Sequence, residues 1–254
     1  MSLELNKYLK NLDRIEVVVT LACTGKCKHC QNGEPENTKE HINAQAVIKA
    51  IRQVNELYKI KTVMTFGGEP LLYPGDVCAI HKAATELGIA KRQIITNGYF
   101  SKDREKIKKV VSELAESGVN DLLLSVDAFH QETIPLEPVK YFAECVVKAG
   151  IPSVITPAWL VSEEDNNAYN VRTRKIIAEF EPYHIPVCEG NVIFPSGNAL
   201  KYLREYFADD VTERSDYDED PADVRTLSFS PNGDVLNGNI YKTDILDIIR
   251  AYKP

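Results

Sequence analysis

No apolar run in this 254-residue chain approaches the length of a membrane span, which excludes a spanning helix. Basic residues are not in excess either. Lys and Arg number 30 against 37 Asp and Glu, a net charge of −7, and nucleic acid is not an expected partner without a local basic surface. The opening residues, Met1 to Lys7, carry neither an apolar core nor a small-residue cleavage site. No secretory signal is read there, and a cytoplasmic protein is expected. The sequence has no low-complexity tract and no repeat beyond an alternation of strand and helix patterns. It also lacks the paired cysteines of a disulfide framework, since Cys78, Cys145 and Cys188 stand singly. The other three cysteines, Cys23, Cys27 and Cys30, fall together, and in a cytosolic chain such a cluster points to metal binding or catalysis.

What is present is a regular alternation. Short β-branched runs predict strands at 14–20, 62–66, 93–96, 121–126, 153–156 and 187–193. Longer amphipathic stretches predict helices at 44–57, 76–87, 103–117, 138–149, 171–180 and 199–207. In the first, Val47, Ile48, Ile51, Val54 and Leu57 recur at helical spacing, and Gly88, Gly118 and Gly150 each follow a helix as a stop signal. Such strand–helix units in a row imply an α/β fold with a parallel sheet and crossover helices. The expected architecture is a partial (βα)6 TIM-type barrel, open on one side, with a short C-terminal β-hairpin and helix. Residues 1–208 would form the barrel. Residues 209–254 would add an acidic loop and a C-terminal extension packed on it. The segment 209–223 holds eight acidic residues and one Arg; 225–230 and 234–236 read as hairpin arms around Pro231-Asn232-Gly233, and 245–252 as a terminal helix.

In parallel α/β folds the chemistry sits at the carboxyl ends of the strands, and the unusual polar residues of this chain fall there. Cys23-Thr-Gly-Lys-Cys27-Lys-His29-Cys30 follows the first strand. A [4Fe–4S] cube held by three thiolates keeps one iron open for a chelating small molecule. A structural zinc site closes with four protein ligands, and His29 or the remoter His41 would have to supply the fourth. A non-catalytic zinc-binding interaction module is therefore the competing class. Gly67-Gly68-Glu69-Pro70 closes the second strand; adjacent glycines allow close backbone approach to a ligand, and Glu69 offers an acceptor. Asn97-Gly98 ends the third strand. On the fourth, Ser125 and Asp127 lie two apart and face the same way, although Asp127 also suits a helix cap.

The C-x3-C-x2-C spacing after strand one, with G-G-E-P ending strand two, resembles the radical S-adenosylmethionine (SAM) superfamily. The resemblance implies one [4Fe–4S] cluster on Cys23, Cys27 and Cys30, with SAM chelating its open iron. It assigns the SAM amino group to Gly67, Gly68 and Glu69, and further SAM contacts to Asn97, Ser125 and Asp127. His29 stands where the family commonly has an aromatic residue near cluster and adenine, and the backbone at Val192 would meet adenine. At Pro195-Ser196-Gly197-Asn198-Ala199 the family often has P-x-G-R-A, so Asn198 occupies the Arg position.

The implied chemistry is oxygen-sensitive: reductive cleavage of SAM to a 5′-deoxyadenosyl radical, which abstracts hydrogen from substrate. A flavodoxin or ferredoxin would supply the electron. The stretch from Ser228 to Lys242 resembles the extension of peptide-modifying and cofactor-maturing members, so a peptide substrate is expected. A small metabolite or nucleotide is the alternative. No cysteine follows Cys188, so no cysteine-ligated auxiliary cluster is expected. The catalytic residue is not fixed by sequence; His130 and Cys188 are the candidates.

Overall fold

The computed structural model describes residues 5–213 and 218–254. Residues 1–4, part of the stretch read as lacking a signal, and 214–217 of the acidic segment lie outside the described residues. In chain order the elements are β1 (Arg14–Val18), α1 (Ala44–Leu57), β2 (Thr62–Phe66), α2 (Pro74–Glu86), β3 (Lys91–Thr96), α3 (Arg104–Ser117), β4 (Asp121–Ser125), α4 (Leu136–Lys148) and β5 (Ser153–Thr156). Then follow β6 (Ala158–Trp159), α5 (Ala168–Ala178), β7 (Asn191–Val192), α6 (Asn198–Tyr202), β8 (Thr226–Phe229), β9 (Asp234–Val235), β10 (Gly238–Asn239) and α7 (Ile245–Ala251).

Strand alternation builds the sheet. Ile15, Val17 and Val19, then Val63 and Thr65, Ile94 and Thr96, Leu122 and Leu124, and Ile155 are buried on one face. Helices α1 to α4 cover the sheet as right-handed crossovers dictate, with each helix packed against the next. The opposite, concave face carries three polar residues and a methionine in register: Glu16 opposite Met64, Met64 opposite Gln93, Gln93 opposite Asp121. Arg14 ties this row together, its guanidinium donating to Glu16 Oε1 at 2.6 Å and to the Gln93 side-chain oxygen Oε1 at 3.0 Å. A filled, dry interior would exclude such a row; an open barrel accommodates it.

The sheet has six parallel strands in the order β5-β4-β3-β2-β1-β8. Its sixth member is not the one expected. Residues 187–193 make only an isolated β-bridge to β5, Ile155 to Val187, and then pair as β7 with β6 in a separate two-stranded piece. Pro157 has no N–H to donate at the break, and Gly190 passes so close that a Cβ there would lie 2.3 Å from the Pro157 carbonyl oxygen. The strand at 226–229, read from sequence as a hairpin arm, instead lies beside β1 in parallel, with Leu227 and Phe229 fully buried. The hairpin that does form is the short β9–β10 pair. Among the described residues the sheet stays open, edged by β5 and β8.

Candidate active site

One pocket lies across the carboxyl ends of β1 to β4. Its wall includes Cys23, Cys27, His29 and Cys30 from the loop after β1, Phe66, Gly67 and Gly68 at and beyond the end of β2, Thr96 and Asn97 at and beyond the end of β3, and Ser125 and His130 at and beyond β4. The segment from Asn32 to Glu36 closes one side.

The glycine pair is required by space. Gly67 has φ +138°, and a Cβ on Gly68 would lie 2.1 Å from the Ala22 carbonyl oxygen. The Gly68 amide donates to the Thr20 carbonyl at 2.7 Å and the Glu69 amide to the Ala22 carbonyl at 2.9 Å. The turn after β2 is thus fastened to the chain leading into the cysteines.

The three thiols are largely buried. Burial, reinforced by the charge of Glu69, pushes Cys23 up to about 11, and burial likewise raises Cys27 and Cys30. The thiols repel one another when charged. Three such thiolates on one loop need a cationic core to stabilise them, and an iron–sulfur cluster with thiolate ligands fits that donor set. The amide of Asn97 reaches Cys23 Sγ at 3.6 Å and Thr24 Oγ1 at 3.3 Å.

His29 packs at 5.0 Å from the Phe129 ring and 4.9 Å from that of His130. Burial lowers its pKa to about 4, so the ring is neutral, and its buried Nδ1 has no protein partner. An orphaned ring nitrogen on a pocket wall suits a bound ligand better than a packed core. One ligating atom each from Cys27, His29 and His130 come within 4.8 Å of one another. That trio alone would leave Cys23 and Cys30 outside a zinc site. His41, the remoter zinc candidate, is instead paired with Asp76 at 3.0 Å and packed, tilted by 31°, against the Tyr73 ring with centroids 4.0 Å apart.

Four of the expected contacts are not gathered at the pocket surface. The Glu69 carboxylate is fully buried and turned into the protein, where it accepts from Thr96 Oγ1 at 2.7 Å, the Leu71 amide at 2.9 Å and the Asn97 amide at 2.9 Å. Burial outweighs these bonds and raises its pKa to about 7. Asp127 is likewise fully buried. It accepts from the amides of Phe129 and His130 at 2.9 Å each, from the Ala158 amide at 3.1 Å, and from His130 Nδ1 at 2.8 Å. The capping alternative describes its backbone bonds. Burial pushes Asp127 up, but the facing His130 outweighs it and holds the carboxyl down to about 2. Val192 is 49% exposed on β7 and outside the pocket wall, and Cys188 also lies outside it, with its thiol 3.6 Å from Thr156 Oγ1.

Sequence reasoning missed three contributors. Thr96 pins Glu69, Thr24 bonds the Tyr99 carbonyl at 2.6 Å, and Asn198 holds the cysteine loop from far along the chain. The Asn at the family's Arg position was the only signal for the last.

Comparison with known proteins matches this geometry. The family model described as Radical SAM superfamily matches residues 17–170, which include the whole pocket wall. A GTP 3′,8-cyclase of Vibrio parahaemolyticus is 28% identical over 139 residues, spanning 50% of this chain and 39% of that protein. The chain therefore spans well under half the length of such relatives. Among solved structures, SuiB of Streptococcus suis bound to its precursor peptide SuiA superposes with a TM-score of 0.58 at 16% identity, covering 95% of this chain and 65% of that one. Native anSMEcpe with bound AdoMet gives 0.54 at 13% identity, covering 92% and 78%. The fold is shared with these proteins, and the motif-bearing half of the sequence carries the family signature. The chain belongs to the radical SAM superfamily, whose members use a [4Fe–4S] cluster together with SAM.

Proposed function

We propose that this protein holds one [4Fe–4S] cluster on Cys23, Cys27 and Cys30 and SAM in the adjoining pocket, and that it generates a radical on a substrate. The observation that carries this reading is the convergence of the three cysteines and the Gly67–Gly68 backbone on one pocket wall. When bound, cluster and SAM supply one-electron cleavage to a 5′-deoxyadenosyl radical and hydrogen abstraction. The chain's own residues bind and orient. Gly67 and Gly68 bring main chain within reach of an ammonium group. Asn97 and Ser125 offer polar atoms on the same wall. Glu69 acts indirectly, holding the ends of β2 and β3 together. Asp127 fixes His130 through Nδ1, which leaves Nε2 as the ring nitrogen for a ligand. His130 is thus a better catalytic candidate than Cys188.

Radical SAM enzymes need a reductant, and a flavodoxin or ferredoxin in the cytoplasm suits a chain whose described residues include no helix long and apolar enough to cross a membrane. The likeness of fold to SuiB, solved with a precursor peptide, favours a peptide substrate. The sequence likeness to GTP 3′,8-cyclases supports the second reading, a nucleotide.

The test is anaerobic reconstitution of the parent and a Cys23→Ala, Cys27→Ala, Cys30→Ala variant. The parent should gain iron, sulfide and brown absorbance, and form 5′-deoxyadenosine with SAM and dithionite. Undiminished iron and sulfide in the variant would overturn the assignment. Added GTP that is consumed under these conditions would select the nucleotide reading over the peptide.

A further inference from the structure

The loop from Cys23 to Cys30 contains no helix or strand, and its own main-chain bonds are few: the Cys30 amide donates to the Cys27 carbonyl at 3.2 Å and the Gly25 amide to Cys23 Sγ at 3.4 Å. Three thiols on the wall of one pocket need more restraint than this. It comes from outside the loop. On one side the Lys26 amide donates to Thr133 Oγ1 at 3.0 Å. On the other stands Asn198, at the start of α6 and 3% exposed. Its side-chain amide donates to the Cys27 carbonyl at 3.0 Å and to the Gly33 carbonyl at 3.1 Å, and its main-chain amide donates to the Cys30 carbonyl at 2.9 Å. Every N–H of this residue is therefore directed at the cysteine loop or the segment just beyond it.

The approach is as close as backbone allows. Gly197 has φ +49°, and a Cβ there would lie 2.3 Å from the Gln31 carbonyl oxygen and 2.5 Å from that of Cys30. Further along α6, Lys201 Nζ lies 2.9 Å from Glu34 Oε1, and the Tyr202 hydroxyl bonds the same carboxylate. Glu34 belongs to the segment that closes the pocket.

We propose that Asn198 is a positioning residue for the iron–sulfur cluster, and that α6 is a clasp holding both the cysteine loop and the 32–36 wall of the SAM pocket in place. The inference rests on the cluster reading above and assigns a role to a residue that stands where the family often has arginine. The amide orients the loop through its carbonyls, so the thiols converge before iron arrives. Groups that orient metal ligands in this way commonly matter about 10–100-fold for metal retention.

The experiment compares anaerobically reconstituted parent, Asn198→Ala, and a Lys201→Ala, Tyr202→Phe double variant. It reads chelator-driven iron release, the electron paramagnetic resonance of the reduced cluster with and without SAM, and the melting of the metal-free proteins. Asn198→Ala should release iron about tenfold faster or more, with an altered SAM-induced spectrum. The double variant, which removes exposed groups only, should show a smaller acceleration with unchanged melting. A role confined to folding would lower melting while leaving release and spectrum of the folded protein at the parent's values, and that result overturns the proposal. If Asn198→Ala does not fold, the double variant decides, and parental release from it overturns the clasp. A parent that takes up no iron overturns the cluster reading itself, and the inference with it.

Discussion

Glu69 and Asp127 are the two carboxylates that motif and alternation mark as ligand-binding, and both direct their oxygens at the protein. Each satisfies donors at the end of a strand, so each shapes the pocket without facing it. Glu69→Ala should therefore destabilise the metal-free protein by about 1–3 kcal/mol, because the Thr96 hydroxyl and two amides lose a buried acceptor. An unchanged urea midpoint in the absence of iron and SAM would instead return Glu69 to the ligand. A second buried group has a pH signature. His81 on α2 is fully buried, with Nε2 2.8 Å from Thr65 Oγ1, and burial lowers its pKa from 6.5 to about 3. The unfolded chain binds a proton at His81 below 6.5 that the folded protein refuses. Stability from this group is complete above 6.5 and falls by about 1.4 kcal/mol per pH unit towards 3. His81→Gln should flatten that part of the profile; an identical acid slope in the variant would show that His81 does not carry it.

Elements obey local rules with few exceptions. Helix α3 starts on Asp103, whose carboxylate accepts from the Glu105 amide at 2.9 Å, and ends on Gly118 at φ +86°. Gly118 also passes Thr85, whose Oγ1 would lie 2.3 Å from an added Cβ and which bonds the Ser117 carbonyl at 2.9 Å. Gly118→Ala combines left-handed strain with a clash, and a loss of at least about 1–3 kcal/mol is expected in chemical denaturation. Gly88 also closes its helix at positive φ but has open space where a Cβ would go, so Gly88→Ala should cost less than Gly118→Ala. Equal costs at the two sites would mean that the Thr85 contact relaxes freely.

At the scale of the whole molecule, β8 binds the end of the chain into the sheet. Leu227 and Phe229 are fully buried beside β1, so the 209–254 segment supplies part of the barrel core as well as an extension of it. Leu227→Ala should cost about 2–5 kcal/mol. A chain ending at residue 208 would expose the edge of β1, and it should aggregate or fail to give a cooperative melt. A soluble, cooperatively melting 1–208 fragment would instead establish the barrel as a self-sufficient domain.

Local pattern alone placed most of the fold. The 44–57 helix and the 62–66 and 153–156 strands are where periodicity puts them, because each signal there is a run of neighbours within one element. The cysteine spacing and the G-G-E-P turn identified the family for the same reason: both motifs are contiguous. Which strand completes the sheet was not legible, since 187–193 meets the β5 edge only at an isolated bridge while 226–229 joins the opposite edge beside β1, and both pairings are between segments distant in the chain. The direction of Glu69 and Asp127 depended on donors brought from β3, β6 and the 129–130 turn. Asn198 meets Cys27 across 171 positions of sequence, a separation at which no local pattern carries information. Sequence alone determined which chemistry the pocket can hold. Tertiary structure decided which residues face the ligand and which hold those residues still, because hydrogen-bond partners distant in the chain are chosen only when the sheet and its crossovers assemble.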